Sequence, residues 1–290
     1  MKFRDSLTGY EKYEEELWLS DDVPEIEIET AYHVKRLLHY EQSPYSEISV
    51  IENKGFGRML VLDGTPQYTT NDGFIYNEML AHMALTTHPS PKKVGIIGGG
   101  SCGTAREVLK YADVKQVDII EIDQRVTEVC RTWFPLETSS LQDPRTQIYH
   151  RDGTEWIKER KSTYDVLIVD RSDPYGPSTV LYKQRFYEDL FHCLTDQGIV
   201  VLQSGSPFYY SHLLKDTVQH MRKLFPIVKT YLASVPVFPG GIWSFTLASK
   251  TYDPLLADIG RLQCQETKYI NPELYSSSFV LPNYIKQHLI

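Results

Sequence analysis

Cysteine is scarce in this chain and never clustered. The four in 290 residues, Cys102, Cys130, Cys193 and Cys264, form no CxxC pair and no Cys/His group at ligand spacing. That speaks against a metal site or a disulfide framework and sets the expectation of a reducing compartment, the cytoplasm. Long apolar runs are missing too, so no segment reads as crossing a bilayer and no membrane partner is expected. The opening stretch MKFRDSLTGYEKYEEELWLS is charged and lacks the apolar centre of a signal peptide. Basic runs are absent and the formal net charge is −8. Nucleic-acid binding rests largely on cationic contacts to phosphate, so no nucleic acid is expected; an acidic chain suits a cationic small molecule instead. There is no internal repeat and no low-complexity linker. The length accommodates one large α/β domain with a small one appended.

What is present changes character along the chain. Up to about His88 it begins as β-rich. Ala31–His39 and Glu47–Glu52 alternate, Pro44, Gly55 and Gly57 supply turns, and the apolar run Arg58–Leu62 ends at the turn pair Asp63-Gly64. Phe74–Thr87 has apolar residues at helical spacing (Ile75, Met79, Leu80, Met83) and stops before Pro89. From Lys93 five short apolar runs follow: VGIIGG, VDIIEID, TQIYHRDG, YDVLIVD and GIVVLQSG. Helical stretches separate or follow them at Ala105–Tyr111, Gln124–Phe134, Gly153–Arg160, Lys183–Cys193 and His212–Phe225. Such alternation predicts a mostly parallel sheet with helices on both faces. Ile227–Ser234 and Trp243–Ser249, flanking PVFPGG, predict an antiparallel hairpin at its edge. The expected fold is α/β: a small N-terminal β domain over 1–70, then a Rossmann-like, methyltransferase-type domain over 71–290.

In such a sheet the ligand crevice lies at the carboxyl ends of the strands, and several candidate residues fall there. Gly98–Gly103 reads GGGSCG, a GxGxxG turn whose glycines permit close backbone approach and whose helix start offers free N–H groups. The motif alone is weak. A strand before it, a helix after it and Glu121 at the end of the next strand strengthen it. Glu121 can accept both ribose hydroxyls of NAD or of an adenosyl nucleoside; a tight turn with no ligand is the plainer alternative. Asp152, in RDG after the third run, can accept an adenine amino group, or cap the helix beginning near Thr154, or do both. The fourth run leads into Asp170-Arg171-Ser172-Asp173-Pro174-Tyr175-Gly176-Pro177. Two carboxylates in a Pro/Gly-fixed loop at the crevice are costly unless a cation sits there; loop capping is the bland alternative.

Taken in order, these stretches resemble the spermidine synthase (polyamine aminopropyltransferase) family over nearly the full length. They are LVLDGTPQYTTNDGFIYNEMLAH, GIIGGGSCGTAREVLKY, VDIIEID, DPRTQIYHRDG, VDRSDPYGP, FYEDLFHCL, PVFPGGIWSF and LPNY. The resemblance implies an N-terminal β domain, a Rossmann-like catalytic domain and a homodimer or homotetramer. It also implies SN2 transfer of an aminopropyl group from the sulfonium of decarboxylated S-adenosylmethionine to an amine, releasing methylthioadenosine. No cofactor beyond that donor substrate is implied. The amine, with a pKa of about 10.4, must lose a proton to a positioned base while it lies in line with the sulfonium carbon. By resemblance Asp170 is that base. Asp173 and Tyr76 hold the acceptor, with Trp243, Phe238 and Gln203 around its channel. Gln67, Asn77, Gly98, Gly100, Glu121 and Asp152 hold the donor. Tyr76 and Trp243 also read as ordinary half-buried aromatics, and Gln67 as a turn-stabilising amide.

The family pattern is broken at specific places. Its GGGDG loop has Ser101 where an Asp pairs with the donor's ammonium, and YHEM reads Tyr76-Asn77-Glu78-Met79. ERDEF reads Thr70-Asn71-Asp72-Gly73-Phe74, the Gln of SEYQ is Ser46, PxYP has Phe238 and QSESP has Gly205. Within DSSDP a small neutral residue has become Arg171. An unpaired buried charge is costly, so loss of the acid at 101 disfavours a donor tail that is only cationic. An inward guanidinium at 171 has the fork geometry for a carboxylate. The sharper expectation is therefore a donor that keeps its carboxylate, S-adenosylmethionine itself, with Ser101 and Arg171 at its tail and a 3-amino-3-carboxypropyl group transferred. The blander one has Arg171 turned to solvent. The acceptor is a putrescine-like or amino-acid-like amine.

Other classes stay open at this point. The same donor can be cyclised or eliminated without an amine. A homologue that binds a nucleoside without turnover is permitted by Ser101, Asn77 and Phe238, although intact Asp170 and Asp173 speak against it. An NAD dehydrogenase would leave the VDRSDP loop unexplained, and methyl transfer ranks low.

Overall fold

The computed structural model describes residues 3–4, 8–13, 16–23, 26–172, 176–263 and 265–290. Two small antiparallel sheets come first. One runs β1 (Phe3–Arg4), β2 (Tyr10–Tyr13), β3 (Glu16–Val23) and β4 (Ile28–His33). The other runs β5 (Arg36–Gln42), β6 (Glu47–Asn53), β7 (Gly57–Leu62) and β8 (Thr65–Thr69). The alternating stretch Ala31–His39, read as continuous, is cut in two. Val34 N donates to Leu17 O beside the first sheet and Lys35 N to Glu52 O of the second, so the chain changes sheets between neighbouring amides. β1, β2 and β3 went unread in the sequence, because FR, YEKY and ELWLSDDV carry charge where a strand signal needs clean alternation.

Helix α1 (Gly73–Thr87) follows and is buried on nearly every side, its polar Asn77, Glu78 and His82 included. It packs on α2 (Gly103–Val108) and across the main sheet. His82 fastens the α1–α2 contact, with Glu107 Oε2 at 3.0 Å on one ring nitrogen and Tyr111 Oη at 2.9 Å on the other. Glu78, also buried, accepts the backbone N–H groups of Lys268, Tyr269 and Ile270 at 2.8, 2.9 and 3.0 Å. One carboxylate thus anchors a C-terminal segment by three backbone amides, the buried one of Ile270 among them.

The main sheet is built from β9 (Lys93–Gly98), β10 (Gln116–Ile120), β11 (Thr146–Tyr149), β12 (Tyr164–Asp170), β13 (Leu194–Gln203), β14 (Ile227–Ser234) and β15 (Ile242–Ser249). Their order is β11-β10-β9-β12-β13-β15-β14. The first five are parallel, as their unbroken apolar runs require of strands covered on both faces. β15 and β14 form the expected antiparallel hairpin at the edge. Between the strands lie α3 (Gln124–Trp133), α4 (Pro135–Thr138), α5 (Gly153–Lys158), α6 (Gln184–Cys193) and α7 (Ser211–Arg222). α2, α5 and α7 stop short of their expected ends because the last turn tightens: Tyr111 N bonds Val108 O, Arg160 N bonds Ile157 O and Leu224 N bonds Met221 O. Three short helices close the chain, α8 (Gly260–Gln263), α9 (Pro272–Ser277) and α10 (Asn283–His288). α10 packs on α7 through Ile285, Leu289, Leu214 and Val218.

From β9 the chain builds outward to β10 and β11, then returns to place β12 on the other side of β9. The strand order reverses between β9 and β12, and a crevice opens there at the strands' carboxyl ends. Among the described residues no helix is long and apolar enough to cross a membrane.

Replacing Glu78 by Ala removes the buried acceptor shared by three backbone amides. A loss of ~3 kcal/mol in urea unfolding is expected, with Glu78→Gln losing less because the amide oxygen still accepts.

Candidate active site

At the reversal, Gly98 and Asp170 sit in register on adjacent strands. A Cβ at Gly98 would stand 2.1 Å from Asp170 O, and its φ of +81° lies in the left-handed region, so only glycine fits. Gly99 is left-handed as well. Gly100 N then donates to Glu121 Oε2 at 3.0 Å, while Asp123 N donates to Glu121 Oε1 at 2.9 Å. Burial, reinforced by the nearby carboxylates of Asp123 and Asp170, pushes Glu121 up to about 7.

Asp170 ends β12 at the centre of the crevice. Burial raises its carboxyl to about 6, against a hydrogen bond from Tyr76 Oη to Oδ1 at 2.7 Å that holds it down. Tyr76, on the first turn of α1, packs edge-on to Phe238 with ring centres 5.6 Å apart, and Phe238 lies 4.5 Å from Trp243. These three rings form one continuous apolar wall. Trp243 is fixed by its indole N–H, which donates to Gln203 Oε1 at 3.1 Å. Gln203 also accepts Gly205 N at 2.8 Å and donates to Arg171 O at 2.7 Å. Its amide therefore clamps the wall, and its acceptor capacity is used within the protein.

One cavity of ≈ 400 Å³ joins these parts. It gathers Gln67, Tyr76, Asn77, Gly98, Gly100, Ser101, Glu121, Asp152, Asp170, Arg171, Gln203, Phe238 and Trp243, so the described candidates share one site. Asp173 lies outside the described residues. Asp152 is exposed and does cap α5, accepting Thr154 N at 2.7 Å through Oδ1 while it lines the cavity. Asn77 is buried against the start of α2 and accepts from Thr104 Oγ1 at 3.1 Å; a Cβ at Gly103 would meet its amide at 2.1 Å. Gln67 donates to Thr65 O at 3.2 Å, the local tie that a turn-stabilising amide makes.

Arg171 is not turned to solvent, which overturns the blander expectation made for it. Its side chain is buried, and its guanidinium donates to Leu181 O, Thr217 Oγ1, Tyr187 Oη and Gln203 O. Leu181 and Gln203 line the cavity while Tyr187 and Thr217 do not, so the guanidinium runs from the cavity wall into the protein and its printed contacts are all to protein acceptors.

The sequence reading also missed Asp21, Asp22, Asp63, Asp123 and Tyr210, all in the cavity wall. Asp21 and Asp22 arrive on β3, whose docking over the crevice is a tertiary event. The adjacent acids of WLSDDV were the one available signal. Asp63 was read only as a turn residue, and its φ of +50° bears that out. With these, seven carboxylates line the cavity: Asp21, Asp22, Asp63, Glu121, Asp123, Asp152 and Asp170. Among the described residues no group of His, Cys, Asp and Glu is arranged to hold a metal ion.

Residues 73–256 match the spermine/spermidine synthase domain, and residues 18–70 match the spermidine synthase tetramerisation domain. The chain belongs to the spermidine synthase family. A polyamine aminopropyltransferase of Caldicellulosiruptor bescii is 40% identical over 275 residues, covering 94% of this chain and 98% of that protein. One from Thermoanaerobacter sp. is 40% identical over 271 residues, with 93% and 98% covered. Among solved structures, a spermidine synthase in complex with the transition-state analogue AdoDATO superposes with a TM-score of 0.91 at 35% identity, covering 94% of each chain. The spermidine synthase of Thermotoga maritima gives 0.90 at 34%, again over 94% of each. The family and fold implied by the motifs are thus shown, and the family's activity is aminopropyl transfer in polyamine biosynthesis.

Two outcomes are expected here. Gly98→Ala should cost about 1–3 kcal/mol or more, since neither φ nor the Asp170 carbonyl leaves room; chemical denaturation measures it. Asp170→Asn should melt higher than the parent at pH 8. The carboxyl goes from 3.8 unfolded to about 6 folded, so its favourable contribution is complete below 3.8 and gone above 6. The advantage of the variant should therefore shrink as pH falls through that window.

Proposed function

We propose that this chain transfers a 3-aminopropyl group from decarboxylated S-adenosylmethionine to a putrescine-like diamine, releasing methylthioadenosine. The observation that carries the reading is the charge of the cavity. Seven carboxylates line it, and the one cationic side chain among its described lining residues, Arg171, spends its guanidinium on protein acceptors. A sulfonium with an ammonium tail and a diammonium acceptor both suit such walls. A donor carboxylate would meet like charge with no cation to receive it. The sharper expectation of a carboxylated donor loses its main support with Arg171.

In this reading Glu121 receives the ribose, Asp152 the adenine edge, and Gln67, Ser101 and Asn77 surround the donor. A hydroxyl donated by the ligand would favour the ionised form of Glu121. The acceptor lies along Tyr76, Phe238 and Trp243, its far ammonium toward Asp21 and Asp22, with Asp173 assigned to the near end by family resemblance. Asp170 takes one proton from the attacking ammonium. The freed nitrogen lone pair forms the N–C bond as the C–S bond breaks, and the sulfonium leaves as a neutral thioether. Placement contributes most, because an aligned amine beside its base has lost its translational freedom beforehand. Residues 1–70 would serve assembly and one wall, and 71–290 the chemistry. The similarity of 18–70 to a tetramerisation domain, with Leu37 and Tyr40 of β5 exposed, supports a homotetramer. Buried, unbridged Cys102, Cys130 and Cys193 support a cytoplasmic setting.

The test is methylthioadenosine release, quantified by mass spectrometry, from S-adenosylmethionine and from its decarboxylated form, each with and without diamines. Release is expected only from the decarboxylated donor plus a diamine, and Asp170→Asn should lower kcat by ~10²–10⁴. Release from S-adenosylmethionine, or without an amine, would overturn the assignment.

A further inference from the structure

Arg171 is a departure from the family pattern that the proposed transfer leaves unused. Its guanidinium reaches Leu181 O at 2.6 Å, Thr217 Oγ1 at 3.0 Å, Tyr187 Oη at 3.1 Å and Gln203 O at 3.4 Å. It also lies 3.7 Å from the centre of the Tyr182 ring. Leu181 and Tyr182 end the turn Gly176–Tyr182, and Ser178, Val180 and Leu181 of that turn line the cavity. Tyr182 Oη in turn donates to Ser172 O at 2.9 Å, one residue beyond Arg171. The end of the turn is thus tied back to Arg171 and Ser172 through three contacts. The same guanidinium fastens that junction to β13, α6 and α7, and none of these contacts needs a ligand.

Burying a guanidinium is costly, and a small residue here would avoid the cost. What the burial can achieve follows from chain entropy. A segment with one end held has less freedom to lose when a ligand settles against it. We propose that Arg171 is a positioning residue that holds Gly176–Tyr182 against the cavity before either substrate arrives. It touches no reacting atom and acts through Leu181 and Tyr182, lowering the ordering cost of binding while leaving the chemical step alone. The proposal rests on reading the cavity as the substrate site, but its structural arm can be measured without turnover.

The experiment compares the full-length chain with Arg171→Ser and Tyr182→Leu by amide hydrogen exchange without ligand, and by steady-state kinetics with decarboxylated S-adenosylmethionine and putrescine. Exchange over 176–182 should quicken about ten-fold or more in each variant, with β9 and β10 unchanged. KM for donor and amine should rise about five-fold or more while kcat stays within about two-fold. If Arg171→Ser fails to fold, Tyr182→Leu, which keeps the guanidinium and removes the stacked ring, decides alone. Unchanged exchange over 176–182 would overturn the proposal. So would exchange rising throughout the sheet, or kcat falling at constant KM. A wild-type chain that turns over no donor would count against the transferase reading, leaving the exchange result to judge Arg171.

Discussion

Everything at this site follows from one close approach, the backbone of Gly98 against the carbonyl of Asp170 where β9 and β12 run side by side. Because no side chain separates the strands there, the glycine turn and the end of β12 face the same crevice. Asp170 is carried to its centre while its neighbour's backbone amides lead on to Glu121. Burial at this position raises the Asp170 carboxyl to about 6. A carboxylate tuned this way is a stronger base than a solvated one yet still ionised at neutral pH, which an amine-deprotonating group needs. The tuning comes at a cost to stability above that pH, as active sites commonly show.

The walls around that centre come from separate parts of the chain and are joined by buried hydrogen bonds. Ser43 Oγ donates to Asp123 Oδ2 at 2.6 Å, tying the second small sheet to the start of α3, and Arg125 grips Glu41 at 2.7 and 2.8 Å. Asp72, at the head of α1, accepts Val237 N at 2.8 Å, and Tyr32 Oη donates to Val237 O at 2.6 Å. The loop that carries Phe238 is therefore held from both small sheets' side of the cavity. Exposed ion pairs such as Arg125–Glu41 add little by themselves; the buried, fully paired amides fix the geometry.

The parallel core was legible because strands covered on both faces must be apolar without interruption, and VGIIGG and YDVLIVD have few other readings. Glu121, Asp152 and Asp170 were legible for a related reason: in such sheets the ends of the strands are where ligands meet them. The small sheets were less so. Their strands mix charge with apolar residues, and the cut at Val34 depends on which neighbour each amide finds. Asp21 and Asp22 became site residues only through docking of β3, which local pattern does not encode. The partners of Arg171 were not legible for a chemical reason: a guanidinium can be satisfied by carbonyls and hydroxyls as well as by a carboxylate, and those groups came from Leu181, Tyr187, Gln203 and Thr217.

The central claim is that Asp170, raised by burial and held down by Tyr76, is the base for transfer. The most direct measurement is the pH dependence of kcat/KM for the parent chain and for Tyr76→Phe, with decarboxylated S-adenosylmethionine and putrescine. Its acid limb should fall near 6 in the parent, where Asp170 takes up its proton. It should move to higher pH in Tyr76→Phe, because losing the hydrogen bond removes the influence that favours the carboxylate. An acid limb at the same pH in both proteins would mean that another group governs proton removal, and the account of Asp170 would be wrong.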